Sequence, residues 1–211
     1  MNTQNLKQAL RQRIIAAREQ LPVGLRARSD AEIARRIGEL EAYRAARTVL
    51  GYMNFGAEFG AEMVARQTLA AGKKLLLPKV NRETRELEIY RVEDVDAQLA
   101  AGAYGIREPM PAHCEQATPD EADFILLPGV AFGRDGARLG YGGGFYDKLL
   151  ARLQNTPALA AGAYSVQLAD DIPQEATDRK VNWLATESET IHCNNQEGRK
   201  HGDDAQGNTG Y

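Results

Sequence analysis

Three short apolar runs constrain the fold of this chain most: Thr48-Val-Leu-Gly-Tyr-Met53, Lys74-Leu-Leu-Leu-Pro78 and Phe124-Ile-Leu-Leu-Pro128. Each lacks the polar alternation of a strand with one wet face, so each reads as a strand buried on both sides. Between the first two, residues 61 to 71 have a helical repeat that ends at Gly72. This β-α-β rhythm predicts the α/β class: a three-layer α/β/α sandwich around a mostly parallel sheet. Leu87-Glu-Ile-Tyr90 alternates like an edge strand, and residues 158 to 164 and 183 to 186 supply further strands. Upstream, residues 4 to 20 form a predicted helix with Leu6, Leu10, Ala17 and Leu21 on one side and Leu21-Pro22 as its stop. A surface helix is predicted at 26 to 41.

With 211 residues, 43% of them hydrophobic, the chain can bury one sizeable core, and residues 1 to 187 read as a single catalytic domain. From 188 to 211 the sequence turns polar and rich in Gly, Asn and Asp, as expected of a disordered tail. The formal net charge of -3 provides no field that would draw nucleic acid or anionic lipid, so any anion site is local. No apolar run approaches the roughly 20 residues that cross a bilayer, so a soluble, cytoplasmic protein with no membrane partner is expected; a monomer is the default expectation, which the sequence does not itself determine. Cys114 and Cys193 have no C-x-x-C spacing, which suits a reducing compartment. His113-Cys114 and His192-Cys193 read as coincidences on solvated loops rather than as a zinc site. The first 18 residues carry Lys7, Arg11, Arg13 and Arg18 without an acid, a composition shared with organelle transit peptides.

The densest chemistry lies in Ala137-Arg-Leu-Gly-Tyr-Gly-Gly-Gly-Phe-Tyr-Asp-Lys-Leu-Leu150, where a core strand and an Asp135-Gly136 turn lead into a glycine loop and then a helix. Glycines let a backbone approach a bulky anion closely, and Arg138 and Lys148 add charge. A turn that only packs backbone on backbone would use the same glycines. Neither a Rossmann fingerprint nor G-x-x-x-x-G-K-[ST] occurs, which excludes the common nucleotide loops. Asp147 is either an oxygen ligand for a phosphate-bound Mg²⁺ or a helix N-cap. If each residue of the first helix turns about 100°, Lys7, Arg11 and Arg18 share one face, where they form either a phosphate site or a solvated basic surface.

Pro128-Gly-Val-Ala-Phe132 followed by Arg138-Leu-Gly-Tyr-Gly-Gly-Gly-Phe-Tyr-Asp147 closely resembles the signature of the 5-formyltetrahydrofolate cyclo-ligase family. The resemblance continues through Lys7-Gln-Ala-Leu-Arg11, Tyr52-Met-Asn-Phe-Gly-Ala-Glu58, Gly105-Ile-Arg-Glu-Pro109, Ile172-Pro173 to Asp178 and Val181 to Glu187, in order, over about residues 5 to 187. The family's element begins at Lys7, which argues against cleavage after it. The resemblance implies an enzyme that uses ATP and Mg²⁺ to convert 5-formyltetrahydrofolate to 5,10-methenyltetrahydrofolate, ADP and phosphate by phosphorylating the formyl oxygen. Its partners are then small molecules, a reduced folate and ATP.

Residue by residue, the resemblance implies catalytic roles for Arg138 and Tyr146. It places ATP on Lys7, Arg11 and the run Arg138, Leu139, Gly140, Tyr141, Gly142, Gly143, Gly144, Phe145 and Tyr146. Met53, Phe55, Glu58, Tyr141 and Phe145 are implied for the folate, and Asp147 and Asp178 for Mg²⁺. Three positions depart from the family pattern: Thr177 before Asp178 where His is common, Asn182 where an acid is frequent, and Phe145 where Tyr is common. Asn182 would remove an outer charge beside the metal. Two other readings are a phosphosugar isomerase or CoA-transferase-like enzyme on a similar sheet, and a folate- or nucleotide-binding regulator that has lost catalysis.

Overall fold

The computed structural model describes residues 2–102, 105–175 and 178–193. Helices α1 (Thr3–Glu19), α2 (Val23–Glu39) and α3 (Glu41–Ala45) precede the first strand, β1 (Thr48–Leu50). Helix α4 (Glu62–Ala70) follows, then β2 (Lys74–Asn81), β3 (Glu86–Val92), β4 (Leu99–Ala101), β5 (Arg107–Pro109) and β6 (Glu115–Ala117). The second half contains β7 (Phe124–Leu126), β8 (Ala131–Phe132), β9 (Arg138–Leu139), α5 (Phe145–Ala151), β10 (Ala158–Gly162), β11 (Trp183–Ala185) and β12 (Thr190–His192).

The main sheet runs β12-β11-β10-β7-β1-β2-β3-β6. Its five inner strands, from β11 to β2, are parallel, and the flanking strands β12, β3 and β6 are antiparallel. The three apolar runs form its centre, β1, β2 and β7, as their composition predicts. Alternate residues feed opposite layers. Val49, Phe124, Leu126 and Ala160 pack against Ile33 and Ile37 of α2, Tyr43 of α3 and Val64 of α4. Leu50, Ile125, Leu159, Ala161 and Leu184 pack against Leu149 and Leu150 of α5 on the other face. The result is the expected three-layer sandwich.

Several predicted details change. Leu87–Tyr90 is not an edge, because β3 is paired on both sides and β6 closes that end of the sheet. The polar tail begins later than residue 188: β12 pairs with β11, the His192 ring stacks on Trp183 with centroids 4.0 Å apart, and Cys193 is buried. Residues 194–211 of the expected tail lie outside the described residues. Cys193 packs beneath α5 whereas Cys114 borders the Met53–Leu75–Val92 cluster, so the two His-Cys pairs sit in separate regions and Cys193 is not on a solvated loop.

Helix α1 also buries a different stripe from the one predicted. Leu10, Ile14 and Arg18, spaced i, i+4, i+8, are covered, while Leu6 is exposed. Leu10 and Ile14 pack on Val130, Ala131, Ala137 and Leu139 of the β8–β9 hairpin. That hairpin turns at Gly136, whose φ of 88° favours glycine, and a Cβ there would meet the Val181 carbonyl oxygen at 2.3 Å. A basic helix is thereby held against the segment that leads into the glycine loop.

Chain order places the ligand cleft. From β1 the chain crosses to β2 on one side, whereas β7, on the other side of β1, leads to β10. The carboxyl ends of β1 and β7 therefore border the point where strand order reverses, where open α/β sheets form their binding crevice.

Candidate functional site

A cavity of about 410 Å³ opens at that point. Tyr52, Met53, Phe55 and Glu58, just after β1, form one wall; Gly140 to Asp147, after β9, form the other. Pro78, Val80 and Leu87 from the β2–β3 hairpin, with Ile106 and Glu108, close the third side.

The glycine wall is shaped by backbone that other residues adopt poorly. Gly142 and Gly144 have φ of 93° and 70°, and a Cβ on Gly143 would meet the Phe145 ring at 2.9 Å. Arg11 grips the loop from outside: its Nε donates to the Gly140 carbonyl over 2.8 Å, and its guanidinium lies over Gly142. Arg138 does so from beneath, with a side chain only 6% exposed. Its Nη2 donates to Asp147 Oδ1 over 2.6 Å, its Nη1 to the Pro128 carbonyl over 3.3 Å, and its buried Nε meets no partner among the described residues. Asp147 is the third residue of α5, and Gly144 occupies the N-cap position, so the capping role is not taken up. Because α5 spans only seven residues, full charges rather than a helix dipole dominate this wall.

The opposite wall combines flat rings with one acid. Phe55 and Tyr141 pair across the cavity mouth with ring centroids 5.3 Å apart. Glu58 is 6% exposed, and its Oε2 accepts from the Phe55 amide over 3.1 Å. Burial raises its carboxyl above the usual range; the Tyr141 hydroxyl, the Phe55 amide and the Arg18 charge offset only part of that effect. Burial, reinforced by the Glu58 charge, also raises the Tyr146 phenol, which therefore stays protonated at neutral pH. The wall is thus an acceptor set against apolar rings, suited to a planar ligand with an N–H edge.

The structure brings together Met53, Phe55, Glu58, Arg138, Tyr141, Phe145, Tyr146, Asp147 and the loop glycines around this cavity. Leu139 is different: its side chain belongs to the core between α1 and the hairpin. Lys7 and Arg11 lie behind the loop rather than on the lining. Lys7 Nζ donates to Glu175 Oε1 over 2.9 Å and to Asp178 Oδ2 over 3.5 Å, so Asp178 is tied to α1 and does not line the cavity. Arg18 is buried, so the face it shares with Lys7 and Arg11 is not a solvated basic surface. Thr177 lies outside the described residues. Asn182 is engaged in the sheet: its Oδ1 accepts from the Leu159 amide and its own backbone amide donates to the Leu159 carbonyl, fastening β10 to the chain entering β11.

Sequence reasoning assigned no role to Glu108, which lines the cavity at 4% exposure with its Oε1 accepting from the Val80 amide. The Gly-Ile-Arg-Glu-Pro turn was its only signal. Groups of three or more His, Cys, Asp or Glu able to hold a metal are absent among the described residues.

An open α/β sheet with a cleft at its switch point, a cation-backed glycine loop on one side and an acid among flat rings on the other defines a small-molecule enzyme of the doubly wound type. The chain belongs to the 5-formyltetrahydrofolate cyclo-ligase family, whose model matches residues 3–187. It is 34% identical over 165 residues to the 5-formyltetrahydrofolate cyclo-ligase of Mycolicibacterium smegmatis, covering 72% of this chain and 83% of that one. Against the Haemophilus influenzae enzyme of the same name it is 28% identical, over 84% of this chain and 95% of that one. The NMR structure of Aquifex aeolicus 5,10-methenyltetrahydrofolate synthetase superposes with a TM-score of 0.80 at 32% identity, covering 95% of this chain and 100% of that one. Among the described residues no helix is long and apolar enough to cross a membrane.

Proposed function

We propose that this chain closes the 5-formyl group of reduced folate onto N10, consuming ATP and releasing 5,10-methenyltetrahydrofolate, ADP and phosphate. The observation that carries this reading is one cavity with Arg138 and the glycine loop on one wall and Glu58 with Phe55 on the other. A triphosphate and a pterin would there lie side by side.

The reaction needs activation because a formyl oxygen is a very poor leaving group. Transfer of the γ-phosphoryl group to that oxygen releases ADP and leaves an iminium phosphate. Attack by the N10 electron pair on the former formyl carbon forms the new C–N bond. The C–O bond then breaks to expel phosphate, and N10 loses its proton. Arg138 neutralises charge on the migrating phosphoryl group, and the backbone N–H groups from Tyr141 to Tyr146, which meet no acceptor among the described residues, are free to cradle phosphate oxygens. Glu58 accepts the pterin's N–H donors, and Phe55 and Tyr141 fix the ring plane. Excluding bulk water protects the activated intermediate from hydrolysis.

The donor set suits Mg²⁺, which takes one or two protein carboxylates and keeps waters and phosphate oxygens for the rest. Asp147 is half-exposed at the cavity, and Asp178 would join it after leaving Lys7. Bound there, Mg²⁺ would neutralise phosphate charge. Incubation with 5-formyltetrahydrofolate, ATP and Mg²⁺ should generate the ultraviolet absorbance of the methenyl product; no product at any sensible enzyme concentration sinks the reading. ADP released without folate would point to a different enzyme, and binding without ADP to a regulator.

A further inference from the structure

Arg18 is the least explained charge in the molecule. It is 3% exposed, and its Nε and Nη1 are buried without a partner among the described residues. No carboxylate lies within ion-pair distance of it among the described residues. Desolvating a guanidinium without matching its hydrogen bonds costs several kcal/mol in ordinary cores. What lies nearby is therefore informative. The guanidinium carbon sits 5.9 Å from the centroid of the Tyr141 ring, which lies 5.3 Å, centroid to centroid, from Phe55. Phe55 in turn donates its amide to Glu58. Tyr141 thus links Arg18 to Phe55 and Glu58, and Arg18 is the one of the four that does not line the cavity.

We infer that Arg18 is a positioning residue for the folate subsite: from outside the cavity it fixes the Tyr141 ring by a cation-π contact, and with that ring the Phe55 and Glu58 that adjoin it. This rests on the reading of Glu58 as the pterin's acceptor. The other groups facing Glu58 cannot substitute for it. Tyr52, Tyr141 and Tyr146 are phenols held protonated by burial, and the Tyr164 hydroxyl, which reaches the Glu58 carbonyl over 3.3 Å, donates more closely to Asp30 over 2.7 Å. Arg18 is the cation whose charge lowers the Glu58 carboxyl, against the larger rise that burial causes. The basic face of α1 is thereby divided, with Lys7 reaching Glu175 and Asp178, Arg11 the Gly140 carbonyl and Arg18 the Tyr141 ring.

The test compares Arg18→Gln and Arg18→Lys with the parent enzyme, in steady-state kinetics for both substrates and in direct binding of 5-formyltetrahydrofolate. Arg18→Gln is expected to raise the folate KM and Kd by about 10- to 100-fold, as for loss of support to one charged hydrogen bond, with the KM for ATP nearly unchanged. The acid limb of folate kcat/KM should move to higher pH, because Glu58 ionises less readily without the cation. Arg18→Lys should restore part of both effects. Unchanged folate affinity and an unmoved acid limb, or equal losses for both substrates, would overturn the inference. Should Arg18→Gln fail to fold, Arg18→Lys decides: it keeps the charge without the planar fork, so a selective rise in folate KM supports the inference and an unchanged one defeats it. Absence of product from the parent enzyme would instead defeat the underlying reading of the reaction.

Discussion

Arg138 and Asp147, nine residues apart, face each other across the base of the glycine loop at 2.6 Å, the arginine buried and the aspartate half in solvent. A cation suited to phosphate and a carboxylate suited to Mg²⁺ thus neutralise one another. Outside the cavity Lys7 is likewise paired with acids, Glu175 at 2.9 Å and Asp178 at 3.5 Å. If the proposed reaction holds, a metal-chelated triphosphate would compete for both members of the Arg138–Asp147 pair, the cation taking phosphate oxygens and the carboxylate the metal.

For Asp147→Ala, turnover should be abolished and ATP affinity should lose its dependence on Mg²⁺. The pair is half solvated, so unfolding free energy should move by no more than about 1 kcal/mol. Titrating ATP at several Mg²⁺ concentrations, alongside thermal unfolding, checks both halves. Full activity in the variant would put the metal elsewhere.

On the proposed reaction, replacing Arg138 by alanine would remove a charge whose value is greatest while the phosphoryl group is in flight. A fall in kcat of about 10²- to 10³-fold is expected, with a smaller rise in the KM for ATP. Steady-state kinetics separate the two, and a KM-only effect would make Arg138 a ground-state anchor.

Glu58→Gln should weaken folate binding yet stabilise the fold at neutral pH. Burial holds this carboxyl above its ordinary value of 4.5, so the folded chain retains the proton more tightly than the unfolded one. The stability linked to that proton is complete below the unfolded value and is lost as pH rises through the raised folded value. The variant's melting temperature should therefore exceed the parent's at about pH 7 and match it at about pH 4. A difference that is the same at both values would contradict the burial argument.

Asn182→Ala should cost stability rather than catalysis. It strips the side-chain acceptor from the Leu159 amide, worth about 1–3 kcal/mol at a covered site. Denaturant unfolding should show that loss while kcat stays within about twofold. A lowered kcat with unchanged stability would return Asn182 to the metal's surroundings.

Much of this was legible without coordinates. The apolar runs specified β1, β2 and β7 because a strand covered on both faces needs no alternation, and the glycine loop announced itself because its φ values demand glycine. Short strands such as β4, β5 and β12 went unseen, since runs of three residues carry no period. Glu108 was quoted within a motif but given no task.

The linear sequence determined the layers, the loop and the residue types that chemistry requires, because strand burial and glycine torsions are set by neighbours a few positions away. Tertiary structure alone decided the partnerships: Lys7 with Asp178 across 171 positions, Arg11 with Gly140 across 129, Asn182 with Leu159 of the sheet, and Arg18 against the Tyr141 ring rather than in solvent. Charge pairing depends on distances of a few ångströms between segments remote in the chain, and only the folded path sets those distances.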